Sequence, residues 1–280
     1  MNRNTFLLCS VILIANASLA LATVETFDSL SKKLVHELPS QMIVPVRDQG
    51  TAGSCTDFVV TDLVLEHYLA KSPLYRGKTL SVSCLMGLRD WMFDSPSYTD
   101  SDKPTAKPSV YGEGPTVAQT VIKYGIPFAE NYDALGIDCR DSVTDFKNIS
   151  LQDYQKLFEQ PPNPTTRLGQ GLKVVIEQTP SFDFIRRLLD QNIPVAIGIV
   201  PYIENQKEAV WILNKNDPPW FPMGGHALQL IGYTNDGYFK FKNSWGEDWG
   251  QKGFGFVSEE FILYGWKLEP RLNYIGYISP

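Results

Sequence analysis

The spacing of apolar positions changes character partway along the chain. Phe27, Leu30, Leu34 and Leu38 form a stripe among charged residues, and this predicts a short amphipathic helix within 23–40 that ends near Pro39. The run 55–70 carries Phe58, Val59, Leu63, Leu65 and Leu69. It is apolar on more than one face, as a helix buried between other elements is. Ser54 reads as its N-cap, with Asp57 three residues on as a partial capping box. A further helix is predicted over 116–124, closed by Gly125 and Pro127, while 93–116 and 147–171 read as loop and polar surface excursion. Beyond residue 172 the period shortens. Strands are predicted at 173–177, 195–200, 227–233, 238–243 and 253–257, with one helix at 182–190, and Asn235-Asp236-Gly237 is a good hairpin connector. A helical front and a strand-rich back make an α+β chain without internal repeats.

The first 22 residues stand apart. A short start with Arg3 as its only charge, an apolar middle and Ala20-Leu21-Ala22 describe a secretory signal peptide cut after Ala22. Ser10, Asn16 and Ser18 interrupt the apolar run, and it is short for a bilayer, which needs about 20 residues. No later stretch is long enough to span one, so the expected product is exported, secreted or periplasmic, and free of the membrane. A net charge of −6 with no basic run argues against nucleic acid as a partner. After the leader is lost, Cys55, Cys84 and Cys139 remain, an odd number in an oxidising compartment. One disulfide then leaves one thiol free.

Three segments supply candidate chemistry: Gln-Gly-Thr-Ala-Gly-Ser-Cys-Thr-Asp-Phe (49–58), Gly-Gly-His-Ala-Leu (224–228) and Lys-Asn-Ser-Trp-Gly (242–246). A thiol attacks carbonyls as thiolate, and Cys55 directly after an N-cap is placed to gain from the positive end of a helix. Of three histidines, His36 falls in the short N-terminal helix and His67 in the long one, whereas His226 follows two glycines and starts a strand. Asn243 ends the next strand through a tight turn, within reach of that ring. Its amide oxygen is suited to accept the ring N–H, and Trp245 to shield the bond from water. Gln49 and the Cys55 backbone N–H are candidate donors to a developing oxyanion. The expected resting state is a thiolate facing an imidazolium. No His-Glu-x-x-His, Cys-x-x-Cys or phosphate-binding glycine loop is present, so neither metal nor cofactor is expected.

These motifs resemble the papain-like cysteine peptidase family, in particular an exported bacterial-type branch, over about residues 44–261. The resemblance implies a helical left domain (about 49–145) and a barrel-like, strand-rich right domain (about 146–270 plus terminal crossings), together a catalytic domain over 41–280. The cleft between them holds the site. It assigns Gln49 to the oxyanion hole, Cys55 as nucleophile, His226 as base and acid, and Asn243 as the residue orienting His226. It also places Gly53, Ser54, Gly112, Gly114, Gly225 and Trp245 along the substrate path, and pairs Cys139 with Cys84. The implied activity is hydrolysis of peptide bonds in peptide or protein substrates by a monomer. A peptide-binding module without catalysis, or acyl transfer to an amine as a ligase or crosslinker, are the alternatives. The chain departs from the family at Ala52 and Thr56, where a cysteine and a tryptophan are common. It also leaves no room for the family's long inhibitory propeptide, so 23–40 is expected to serve as a compact cover of a zymogen, or else to pack on the right domain.

Overall fold

The computed structural model describes residues 25–50, 53–86, 89, 114–129, 167–202, 207–213 and 224–280. The signal peptide, Gly112 and Cys139 lie outside these. Helices α1 (Phe27–Ser31), α2 (Cys55–Lys71), α3 (Gly114–Tyr124), α4 (Phe182–Asp190) and α5 (Glu259–Leu268) are numbered in chain order. The strands are β1 (Leu34–Glu37), β2 (Ile126–Pro127), β3 (Arg167–Leu168), β4 (Val174–Gln178), β5 (Val195–Ile199), β6 (Val210–Trp211), β7 (His226–Thr234), β8 (Tyr238–Lys242), β9 (Phe254–Ser258) and β10 (Tyr274–Ile278). One sheet runs β4-β10-β5-β7-β8-β9-β6, with β1 added on β7, and β2 pairs with β3 in a small second sheet. Its pairings are antiparallel except β6 with β9.

Two apolar cores follow from this layout. One fills the sheet between α4 and α5, around Trp211, Phe239, Phe241 and Phe261. The other gathers α2 and α3 around Val59, Leu63, Val64, Val117 and Val121, and takes in Ala227 and Ile278 from the sheet. β7 is buried along its whole length because it belongs to both. Leu228 and Leu230 face the first core, Ala227 meets the second, and Gln229 reaches a glutamate of α2. Alternation of side chains along the strand does this over residues 226–230, ahead of the register shift between Leu230 and Gly232.

The predicted helix over 23–40 is not what forms. One capped turn, α1, is followed by β1, whose residues pair with Thr234, Tyr233 and Gly232 of β7. The stripe was real, since Leu30 and Leu38 are buried, but strand pairing overrode helical spacing. Gly232 allows the approach: a Cβ there would stand 2.6 Å from the His36 carbonyl oxygen. His36 is therefore a strand residue, and the described part of this segment packs on the right-hand sheet, at the end of β7 remote from His226, rather than over a cleft. Helix α5 and strands β1, β2, β3, β6 and β10 were not foreseen, and β3 is buried within the stretch 147–171 read as a surface excursion, whereas α4 spans the residues predicted.

A buried charge network joins the two cores. Lys242, the last residue of β8, places Nζ 2.8 Å from Asp62 and 3.4 Å from Glu66, both on α2, and donates to the Val44 carbonyl at 3.1 Å. Glu66 also accepts from the Val44 N–H and from the Gln229 amide, and Asp62 is held by Arg47. Burial raises the Glu66 carboxyl to about 7, with the Lys242 charge opposing. Removing one partner of such a set leaves an uncompensated charge. Lys242→Met is expected to cost on the order of 3 kcal/mol at pH 8 in urea unfolding. The loss shrinks toward pH 6, where Glu66 takes up a proton. An unchanged midpoint at pH 8 would show that the network is dispensable.

Candidate active site

Cys55 is the first residue of α2, half-buried and a free thiol. Cys84, by contrast, is disulfide-bonded, with its partner outside the described residues. His226 opens β7, which is entered through Gly224 at φ +103, a left-handed conformation suited to glycine. The His226 Nε2 lies 2.8 Å from Asn243 Oδ1. The Ser244 backbone N–H donates to the same oxygen at 2.8 Å. That second donor identifies the atom as the amide oxygen, so Nε2 carries the proton and Nδ1 is the basic nitrogen of the neutral ring. Trp245 stacks on the imidazole, with centroids 4.7 Å apart and planes at 26°. Trp211 and Trp249 back Trp245 in turn.

Gln49 is brought to the same place by a short stretch of pairing. Its N–H donates to the Ser244 carbonyl at 2.8 Å, Asp48 bridges to Trp245, and the Gly246 N–H donates to the Arg47 carbonyl. The Ser244 hydroxyl donates to Gln49 Oε1 at 2.6 Å. Since that oxygen is taken, the amide NH₂ of Gln49 is the end left to act as donor. A continuous chain of hydrogen bonds thus runs from Gln49 through Ser244 and Asn243 to His226. Ser244 was missed as a functional residue. It stands inside the Asn-Ser-Trp-Gly motif, but nothing in its spacing says that its backbone and side chain serve two different neighbours.

Electrostatics weigh against one expectation. Burial pushes the Cys55 thiol up, and the charge of Asp57 adds to this; the N–H of Ala227 and the hydroxyl and N–H of Thr56 pull the other way. Burial also lowers His226 to about 4, partly offset by the bond to Asn243. Burial thus disfavours the charged form of each group and works against the expected ion pair. The Ala227 contact nonetheless sets the sulfur beside the residue that follows His226.

The remaining expectations divide. Ser54 does occupy the N-cap of α2, but its side chain makes no cap bond, and it is fully buried rather than facing a substrate path. Gly53 directly precedes it. Gly114 is the first residue of α3. Gly225, just before His226, packs against Leu272 at 3.4 Å from a built Cβ. Next to Cys55, Thr56 and Ala227 border an apolar hollow that also touches Val59, Val60, Ala118 and Ala196. Among the described residues no cluster of His, Cys, Asp and Glu is suited to a metal ion, and no helix is long and apolar enough to cross a membrane.

Comparison with known proteins bears on the fold and the family. Residues 173–262 match the family model of the papain family cysteine proteases. The chain is 22% identical over 222 residues to an uncharacterised peptidase C1-like protein of Acanthamoeba polyphaga mimivirus, covering 77% of this chain and 64% of that protein. A shorter stretch of 36 residues is 53% identical to cathepsin B-like CP1 of Giardia intestinalis, and spans 12% of that relative's length. In three dimensions the chain is similar to xylellain, a cysteine protease from Xylella fastidiosa. The TM-score is 0.59 at 17% identity, covering 92% of this chain and 91% of that one. The fold is that of the papain-like cysteine proteases, and residues 173–262 match the family in sequence as well.

Proposed function

We propose that this protein is a cysteine peptidase that cleaves peptide bonds through a thioester on Cys55. The bond from His226 Nε2 to Asn243 Oδ1, shielded by Trp245, carries this reading. It leaves Nδ1 basic and fixes the ring by an uncharged partner, as a base that must both take and return a proton requires. In the proposed cycle the Cys55 proton passes to His226 Nδ1 as sulfur attacks the substrate carbonyl carbon. The resulting oxyanion is stabilised by the Gln49 amide and the Cys55 N–H, at the positive end of α2. Collapse breaks the C–N bond, and His226 gives its proton to the departing amine. Water, deprotonated by His226, then hydrolyses the thioester and restores the thiol.

Peptides or proteins are the proposed substrates, and water the acceptor in preference to an amine. The proposal includes export, which a disulfide at Cys84 supports, and pairing of Cys84 with Cys139. Cys55→Ala is expected to abolish cleavage of a fluorogenic peptide library and labelling by an epoxide inhibitor. Labelling and turnover that persist without the thiol would exclude the mechanism.

Two further outcomes follow from the site. Ser244→Ala frees Gln49 Oε1, and is expected to lower kcat about tenfold with KM nearly unchanged, since an oxyanion donor acts mainly in the transition state. A change in KM alone would reassign Ser244 to substrate binding. The second concerns stability. With its folded value near 4 against 6.5 for the free group, His226 contributes stability that is present above pH 6.5 and lost as pH falls toward 4. Asp57 and Glu66, whose folded values are raised, slope the opposite way, so the measurement is the difference between wild type and His226→Gln. That difference is expected to grow by on the order of 3 kcal/mol from pH 4 to 6.5 and then flatten. A pH-independent difference would contradict the assignment.

A further inference from the structure

The first turn of α2 carries Cys55 but lacks the usual fastening of a helix start. The Ser54 hydroxyl is buried without a hydrogen-bond partner. Asp57, at the third helical position, stands where a capping-box acid reaches back to the N-cap N–H. Its carboxylate points elsewhere: Oδ2 accepts from Arg89 Nη1, and Oδ1 has no partner. The Arg89 and Asp57 side chains are 3% and 0% exposed. A carboxylate so buried stays ionised only beside a cation, and burial indeed raises Asp57 to about 6, against the pull of Arg89.

The position of this pair relative to the sulfur gives it a consequence beyond stability. A helix start favours a thiolate through its free N–H groups and dipole. An acid two residues after the thiol opposes that. The charge of Asp57 opposes the thiolate at Cys55, and Arg89 is the cation paired with Asp57. The tie also spans 32 residues of chain, so it fixes the turn to a separate segment rather than to its own helix.

We propose that Asp57 and Arg89 form a positioning pair for the nucleophile: through Asp57, Arg89 anchors the turn that presents Cys55, and its charge offsets the acid that would otherwise oppose the thiolate. The pair acts through Cys55 and does not touch substrate. It rests on Cys55 being the nucleophile.

The test is the pH dependence of Cys55 alkylation by iodoacetamide in the full chain, read by mass spectrometry on the Cys55 peptide. Asp57→Asn keeps an acceptor oxygen for Arg89 but removes the negative charge two residues from the sulfur, while the Arg89 charge stays. Asp57→Asn with Arg89→Gln leaves a neutral hydrogen-bonded pair. The wild-type midpoint is expected to be highest, the double variant intermediate, and Asp57→Asn lowest, by about one pH unit below wild type. Identical midpoints in three folded proteins would reduce the pair to a structural contact and overturn the proposal. If Asp57→Asn alone does not fold, the double variant, which removes both charges, decides: a midpoint equal to wild type overturns, a lower one supports. Alkylation needs no turnover. If the three proteins show this order while the wild type cleaves no peptide, the peptidase reading fails and the pair stands.

Discussion

The architecture hangs on Lys242 reaching from the end of β8 into α2. An ammonium placed between Asp62 and Glu66, with a backbone carbonyl for its third hydrogen, is stable in an interior only when every partner is present. Those partners come from three separate pieces of chain: α2, the crossing segment at Val44–Arg47, and β7 through Gln229. The helical core and the sheet are therefore joined by a contact that tolerates little sliding. Apolar surfaces alone hold two layers together but leave their register loose, since the hydrophobic effect has no direction.

The candidate catalytic residues neighbour this network in sequence. Arg47 is two residues from Gln49, Lys242 adjoins Asn243, and Gln229 is three residues from His226. Where one side chain of a strand is locked by charge, the next is locked by the same backbone. This accounts for an unbroken line of hydrogen bonds across four residues from three segments. It also implies that stability and orientation are coupled here, so that loosening the charges disturbs the imidazole without touching it.

Much of this was legible from the sequence because the signals were local. The strand starting at His226, the hairpin at Asn235-Asp236-Gly237 and the helix Phe182–Asp190 each carry their own turn or capping chemistry. The Gln49, Cys55, His226 and Asn243 set was legible through a motif. What escaped was decided by distant partners. Leu30, Leu34 and Leu38 have helical spacing, yet the edge of β7 was available to pair with 34–37, and no local rule contains that fact. Asp57 reads as a capping acid because Ser54 precedes it by three, and only the fold brings Arg89 close enough to claim it. The lowered basicity of His226 was likewise hidden, since its burial is a property of the assembled layers.

The burial that opposes both charges fits the proposed chemistry. An ion pair formed before substrate binds would have to overcome the desolvation of both groups. If proton transfer accompanies attack instead, the negative charge moves from sulfur to the substrate oxygen as it develops, toward donors already in place. Gln49 Oε1 accepts from the Ser244 hydroxyl, and the first turn of α2 is tied through Asp57 to Arg89. Charge is then created where the dipoles point, and the burial that disfavours the resting ion pair strengthens those dipoles in the transition state. A thiol whose ionisation is opposed by burial is therefore compatible with catalysis, provided the groups that receive its charge are rigid before substrate arrives.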